Sequence, residues 1–259
     1  MSAPQHDHGA ASDARSDAMI RAVPDAAGVI QLETLRALSA VRHGFASRRG
    51  RLEDVVPGPV ARLQQVHGAE ALTLPAEPSD RTPFLEEEID RRPRADALVT
   101  GVPGAAVGVA VADCLPLLIA DPNAGVVAAV HAGWRGLAAG VIENAVDTMV
   151  AGFGAKPVDL VVGIGPAIGP CCFEVGPEVL DTFNDRGYGD QARVPGPPAD
   201  RLYCNLSAVA AAIIRQLGVP PEHLTDAALC TKCNSDWLWS YRQDGDNAGR
   251  MICGIALAP

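Results

Sequence analysis

Two residues in one stretch of this chain carry reactive side chains in a setting that suits chemistry: Cys114 and His131, within AAVGVAVADCLPLLIADPNAGVVAAVHAGWRG, residues 105–136. A thiolate is a nucleophile and a soft metal ligand, and an imidazole is a metal ligand and proton carrier. Either type is also an ordinary core residue, so the surroundings decide. His131 is followed by Ala132-Gly133-Trp134-Arg135-Gly136, whose glycines let backbone approach a ligand closely. The helix that follows would offer free N-terminal amides to an anion beside the charge of Arg135.

The elements that must position the pair are three short apolar runs, separated by a corner at Ala112-Asp113-Cys114 and a turn at Asp121-Pro122-Asn123-Ala124-Gly125. If Ala120 pairs with Val126 across a five-residue turn, His131 falls opposite Leu115, and regular alternation points Cys114 to the other face. On that register a shared site needs a bulge or slip at the corner, which Pro116 favours because it cannot donate to a ladder.

The rest of the chain supplies a frame. The 1–25 stretch, rich in Ala, Ser, Asp and His, reads as a disordered tail in which His6 and His8 are not a metal pair, and 26–259 reads as a single catalytic domain. Hydrophobic residues make up 48% and aromatics 4%, so the core is built from Ala, Val, Leu and Ile. A strand is expected through Ile30–Phe45, opening into a loop at His43-Gly44, and one or two more over 60–74, broken at Gly68. The Pro-punctuated, acidic 75–94 segment reads as loop and 95–100 as a strand. Leu137, Val141, Ala145 and Met149 trace a helix face that Gly152 and Gly154 end. A strand over 158–164, a helix near 177–183, a helix capped by Asn205 and running to Leu217, and a closing strand over 251–257 complete the pattern. Together these predict an α/β (α+β) fold: one domain with mixed β-sheets covered by helices in a layered sandwich.

A formal charge of −10 opposes capture of nucleic acid or an anionic membrane. Seven cysteines without a framework pattern, and no apolar run near 18 residues, predict a cytoplasmic protein with reduced thiols. Cys230-x-x-Cys233 has no second CxxC and no thioredoxin-like context, so it reads as ordinary thiols. Cys171-Cys172 adjoin GIGPAIGP, which lacks the lysine of a P-loop. Trp237, Trp239 and Tyr241 alternate on an expected strand, where they would stack on a base or pack in the core.

An ordered set of short motifs carries a resemblance: QVHG (65–68), ADA (95–97), ADCLPLL (112–118), HAGWRG (131–136), GPAIGPCCFEVG (165–176), CT (230–231) and SYRQDGDNAGRM (240–251). From about residue 40 onward the chain resembles the YfiH/YlmD family, also called laccase-domain or multicopper polyphenol oxidase-like proteins and associated with purine nucleoside phosphorolysis and adenosine deamination. The resemblance implies that His67, Cys114 and His131 bind one zinc ion and that Arg48 lies near the site. It departs between Arg48 and Gln64, where the glycine-rich GGVS and SLNLG stretch of similar proteins is missing.

Two imidazoles and one thiolate suit zinc and leave a fourth tetrahedral position open. Zinc lowers the pKa of a bound water towards about 7, which suits attack on C6 of adenosine. Known zinc deaminases use the glutamate of an H-x-E motif to move the proton. None is present here, so Asp113 or Glu174 would serve. Phosphorolysis needs phosphate held beneath the ribose, with Arg48 and Arg135 as the clamps. The expected partners are therefore a small nucleoside and phosphate, with no nucleic acid and no membrane. The competing expectations are a copper oxidase of phenols, a metal-free cysteine hydrolase using Cys114 with His131, and a non-catalytic metal or nucleoside sensor. Copper would want an axial methionine, and Met149 and Met251 lie away from the ligand motifs.

Overall fold

The computed structural model describes residues 24–259 apart from 196, 197 and 199; the expected tail with His6 and His8 lies almost wholly outside the described residues. Strands are β1 (Val29–Ile30), β2 (Val41–Ala46), β3 (Val60–Ala61), β4 (Ala71–Thr73), β5 (Ala97–Thr100), β6 (Ala106–Val111), β7 (Leu115–Asp121), β8 (Val126–Ala132), β9 (Val161–Ile164), β10 (Arg193–Val194), β11 (Tyr203–Cys204), β12 (Leu224–Asp226) and β13 (Met251–Leu257). Helices are α1 (Glu33–Arg36), α2 (Thr82–Leu85), α3 (Trp134–Ala139), α4 (Val141–Phe153), α5 (Pro177–Asp185), α6 (Gly189–Ala192), α7 (Leu206–Gln216) and α8 (Tyr241–Asp244).

A five-stranded sheet in the order β1-β2-β13-β6-β3 lies against a six-stranded one in the order β12-β9-β7-β8-β5-β4. Both mix parallel and antiparallel pairs. The β6-to-β7 link at Ala112-Asp113-Cys114 carries the chain from one sheet to the other. Every residue of β7 and β8 is buried, because both faces of the larger sheet are covered, and an apolar run suits such a strand better than alternation does. On one face Leu117, Ile119, Ala128 and Val130 meet Val141, Ile142 and Met149 of α4 and Val209 and Ile213 of α7. On the other, Leu118, Val127 and Ala129 meet Val107, Val109, Cys253 and Ile255 of the smaller sheet. The expected layered sandwich is thus three layers, helices on sheet on sheet.

Local expectations fared unevenly. Asn205 caps α7 by accepting from Ala208 N–H at 3.1 Å, and β13 spans 251–257 as expected. The stripe through 137–149 belongs to two helices, because Gly140 at φ 95° breaks it. His43 lies inside β2, buried, not in a loop. The 75–94 segment contains short helical turns, and residues 237–241 form turns and the start of α8 in place of a strand.

The hairpin register is shifted by one from expectation: Asp121 pairs with Val126, Ala120 with Val127 and Pro116 with His131. The physical reason is Asp121. Its buried carboxylate accepts from Asn123 and Ala124 N–H, both at 2.9 Å, and closes a tighter loop, with Gly125 supplying φ 63°. One step of register exchanges faces, so Cys114, two positions before Pro116, now shares the side of His131. The postulated slip is unnecessary.

Candidate metal centre

His67, Cys114 and His131 converge from three places: the 62–70 connection, the inter-sheet corner and the end of β8. Their candidate ligand atoms all lie within 4.8 Å of one another. His67 Nε2 is 3.8 Å from Cys114 Sγ, and the imidazole rings stand edge to face with centroids 4.9 Å apart. Among the described residues, His67 and Asp113 are two of the three non-glycine residues at positive φ, at 59° and 84°. Such backbone persists only where surrounding bonds over-determine it.

At His67 those bonds come from Asp96, which is fully buried. Its Oδ1 accepts from the His67 N–H at 2.9 Å and meets His131 Nδ1 at 2.8 Å; its Oδ2 accepts from the Gly68 N–H at 2.7 Å. One carboxylate therefore shapes the turn bearing one imidazole and orients the other ring, leaving Nε2 as the His131 nitrogen that can meet Cys114 or a metal. Asp96 is the residue that motif reading missed, although it is the centre of ADA. The signal is a lone acid within an apolar strand, which must be paired if buried. Burial raises the Asp96 pKa, but the bonds from His131 and Gly68 outweigh this and hold it below the usual carboxylate range.

The same competition sets the two reactive groups. Burial pushes the Cys114 thiol up, yet hydrogen bonding to His131 and His67 brings it down to about 6. Burial pushes His131 down, yet Asp96 and Cys114 raise it to about 9. The pair is therefore a thiolate beside a protonated imidazole near neutral pH, and a metal would have to displace the His131 proton. A Cβ on Gly133 would lie 2.9 Å from the His67 ring and 3.1 Å from Cys114 Sγ. The glycine after the His131-Ala132 pair therefore leaves room for the other two donors to close in.

These donors open on a cavity of about 650 Å³ lined also by Arg92, Asp113, Phe173, Tyr241, Arg242 and Arg250. That is the size and composition of a small-molecule site. Asp113 lines it with its oxygens engaged, Oδ1 accepting from the Thr231 hydroxyl at 2.5 Å and Oδ2 from the Arg242 N–H at 2.6 Å. Glu174 does not line it; its carboxylate pairs with Arg201 at 2.7 Å. Arg135 is exposed and stacks on Trp134 at 4.5 Å. Arg48 lies over Trp239 at 3.9 Å, bonds Asp244 and the Leu238 carbonyl, and faces a neighbouring depression that shares Arg250 with the cavity. Arg92, Arg242 and Arg250 line the cavity wall, whereas Arg48 and Arg135 do not.

A second group assembles from residues that sequence reasoning treated as ordinary thiols. Cys171, Cys172, Cys230 and Cys233 place four Sγ atoms within 4.8 Å of one another. Sequence separation hid this, since the two pairs are some sixty residues apart and are brought together beside the Ala167–Cys230 bridge.

Comparison with known proteins gives these features a family. A family model described as multi-copper polyphenol oxidoreductase laccase matches residues 41–258. The chain is 32% identical over 223 residues to purine nucleoside phosphorylase YlmD of Geobacillus stearothermophilus, covering 83% of this chain and 79% of that one. It is 36% identical over 202 residues to purine nucleoside phosphorylase YfiH of Shigella flexneri, covering 78% and 75%. To adenosine deaminase RL5 of an unknown prokaryotic organism it is 35% identical over 177 residues, covering 66% and 67%. The crystal structure of the Bacillus licheniformis hypothetical protein YfiH superimposes with a TM-score of 0.79 at 25% identity, covering 90% of this chain and 97% of that one.

Proposed function

The chain belongs to the multi-copper polyphenol oxidoreductase laccase family, and from that premise we propose that it is a zinc-dependent purine nucleoside phosphorylase with adenosine deaminase as a side activity. The observation that carries the proposal is the meeting of two imidazoles and a thiolate at one cavity that also presents Arg242, Arg250, Phe173 and Tyr241. Relatives named for both activities support it.

The donor set fits zinc: three protein ligands of mixed nitrogen and sulfur type, one imidazole oriented by a buried carboxylate, and open space beside them. Held by His67, Cys114 and His131, the ion would supply Lewis acidity and lower the pKa of a water in its open position. The remaining chemistry falls to the chain. Arg242 and Arg250 hold phosphate for attack at the ribose carbon, so that the bond to the purine nitrogen breaks as the bond to a phosphate oxygen forms. Phe173 and Tyr241 offer aromatic faces to the base. Asp113 accepts or returns the proton, because it lines the cavity and Glu174 does not. The net charge of −10 fits a small-molecule substrate better than nucleic acid, and among the described residues no helix is long and apolar enough to cross a membrane.

Copper oxidase chemistry fits less well. Met149 packs in the helix layer and Met251 between the sheets, and neither lines the cavity, so neither offers the usual long axial sulfur. Incubation of metal-quantified protein with adenosine and with inosine, each with and without phosphate and with products separated by chromatography, tests the proposal. Free base and ribose 1-phosphate should appear only with phosphate, and inosine should form from adenosine without it. Absence of both base and inosine overturns the reading.

A further inference from the structure

We infer that Cys171, Cys172, Cys230 and Cys233 bind a single zinc ion as four thiolates, at a site separate from the His67–Cys114–His131 centre, and that this ion staples the 169–173 loop to the 230–233 loop. Cys233 Sγ lies 3.5 Å from both Cys171 Sγ and Cys172 Sγ, and the whole group fits within 4.8 Å. A tetrahedron of sulfurs around zinc at about 2.3 Å has edges of about 3.8 Å, so the two Cys233 pairs lie within a few tenths of an ångström of an edge and no pair exceeds one by more than about 1 Å. All four are free thiols, and a disulfide would need roughly 2.05 Å between sulfurs. The group is also too tight for a cluster, whose several irons and bridging sulfides must fit between the thiolates. Four soft donors in this arrangement select zinc over a hard cation.

The surroundings are built to let the sulfurs meet. A Cβ on Gly169 would stand 3.0 Å from Cys230 Cβ, 3.3 Å from Cys171 Sγ and 3.5 Å from Cys230 Sγ, so any larger residue would press into the group. The loops are fixed by their own backbone. Cys172 and Phe173 N–H donate to Gly169 O, each at 2.9 Å, Thr231 N–H donates to Ala167 O at 2.9 Å, and the Asn234 side chain donates to Cys230 O at 2.8 Å. Four thiols held in place before any ion arrives lower the cost of binding one. Zinc would displace four thiol protons to solvent with no change of oxidation state.

Four protein ligands fill a tetrahedron, so the role is structural. Its target is evident from the connections. Thr231 lies between Cys230 and Cys233 and donates to Asp113, the neighbour of Cys114, while Phe173 follows Cys172 and lines the cavity. The staple therefore sets one wall of the cavity from outside it.

The test uses the full chain, measuring metal per chain and absorption after cobalt loading, for the wild type and for Cys171→Ser/Cys233→Ser. The variant should hold one equivalent less metal and lose most of the thiolate-to-cobalt charge-transfer absorption, whereas Cys114→Ala should keep that absorption. Should the double variant fail to fold, thiol counting decides: five thiols, Cys114 and the four of this group, should be shielded from Ellman's reagent in zinc-loaded wild type and react once a chelator is added, and four should do so in Cys114→Ala. Equal metal content in variant and wild type, immediate reaction of all four thiols in loaded protein, or a disulfide within the group in anaerobically purified protein overturns the inference. Failure of the mixed centre would show instead as no metal difference between Cys114→Ala and wild type.

Discussion

The two groups of soft donors lie on either side of Asp113 and differ in how they are built. The first takes His67, Cys114 and His131 from three separate segments, orients them through one buried carboxylate, and leaves a side open to the cavity. The second takes four identical donors from two loops and needs no carboxylate, because thiols at this spacing already complete a tetrahedron. An incomplete donor set with a buried acid behind it is suited to chemistry; a complete set between two loops is suited to holding them together. Asp113 joins the two, since its backbone precedes Cys114 and its carboxylate accepts from Thr231.

The strongest way to break this comparison is Cys114→Ala. Phosphorolysis should fall by at least about a thousand-fold, the several kcal/mol of barrier that a Lewis acid supplies, while the metal bound by the four cysteines stays. A variant that keeps its activity would remove the distinction between an open and a closed group.

Next in size is a control on burial. His43 is pushed down to about 4 by burial and then by the charge of Arg36, whereas His131, equally buried, is raised by its partners. His43 accepts from the Leu32 N–H at 2.9 Å and so stays neutral in the fold. Above about pH 6.5 neither the folded nor the unfolded chain protonates this ring, and it does not affect stability. As pH falls from there to about 4 the unfolded chain gains a proton that the folded one refuses, and stability should drop by on the order of 3 kcal/mol. Denaturant melts across that range should show the drop, and His43→Gln should flatten it.

Asp96→Asn sharpens the comparison from the other side. Removing the charge behind His131 should weaken metal binding at the mixed centre by about 10–100-fold, measured by competition with a chromophoric chelator, and leave the four-cysteine group unchanged. The smallest effects separate the arginines. Arg250→Ala should raise the KM for phosphate by about tenfold, the loss of one charge-assisted contact, while Arg135→Ala, exposed and stacked on Trp134, should change it by no more than about twofold.

Legibility in the sequence followed the range of the interactions involved. Asn205 as a helix cap, the α4 stripe, β13 and the layered α/β plan depend on neighbours a few residues apart, and all were readable. The register of the β7–β8 hairpin was not, because a buried Asp121 closing its loop looks like any turn aspartate until its bonds are seen. The positions of Arg48 and Arg135 were not legible for a related reason: an arginine beside a motif can lie over an aromatic ring, and long side chains are placed by whatever surface lies near.

By itself, then, the sequence determined the kinds of donor available and the elements that carry them, since residue types and their periodicity are local properties. Only the tertiary structure decided which donors meet. Asp96 at the back of two histidines and four cysteines from loops some sixty residues apart are products of strand order and loop closure. Contacts of that kind depend on the summed packing of both sheets, which no single stretch of chain contains.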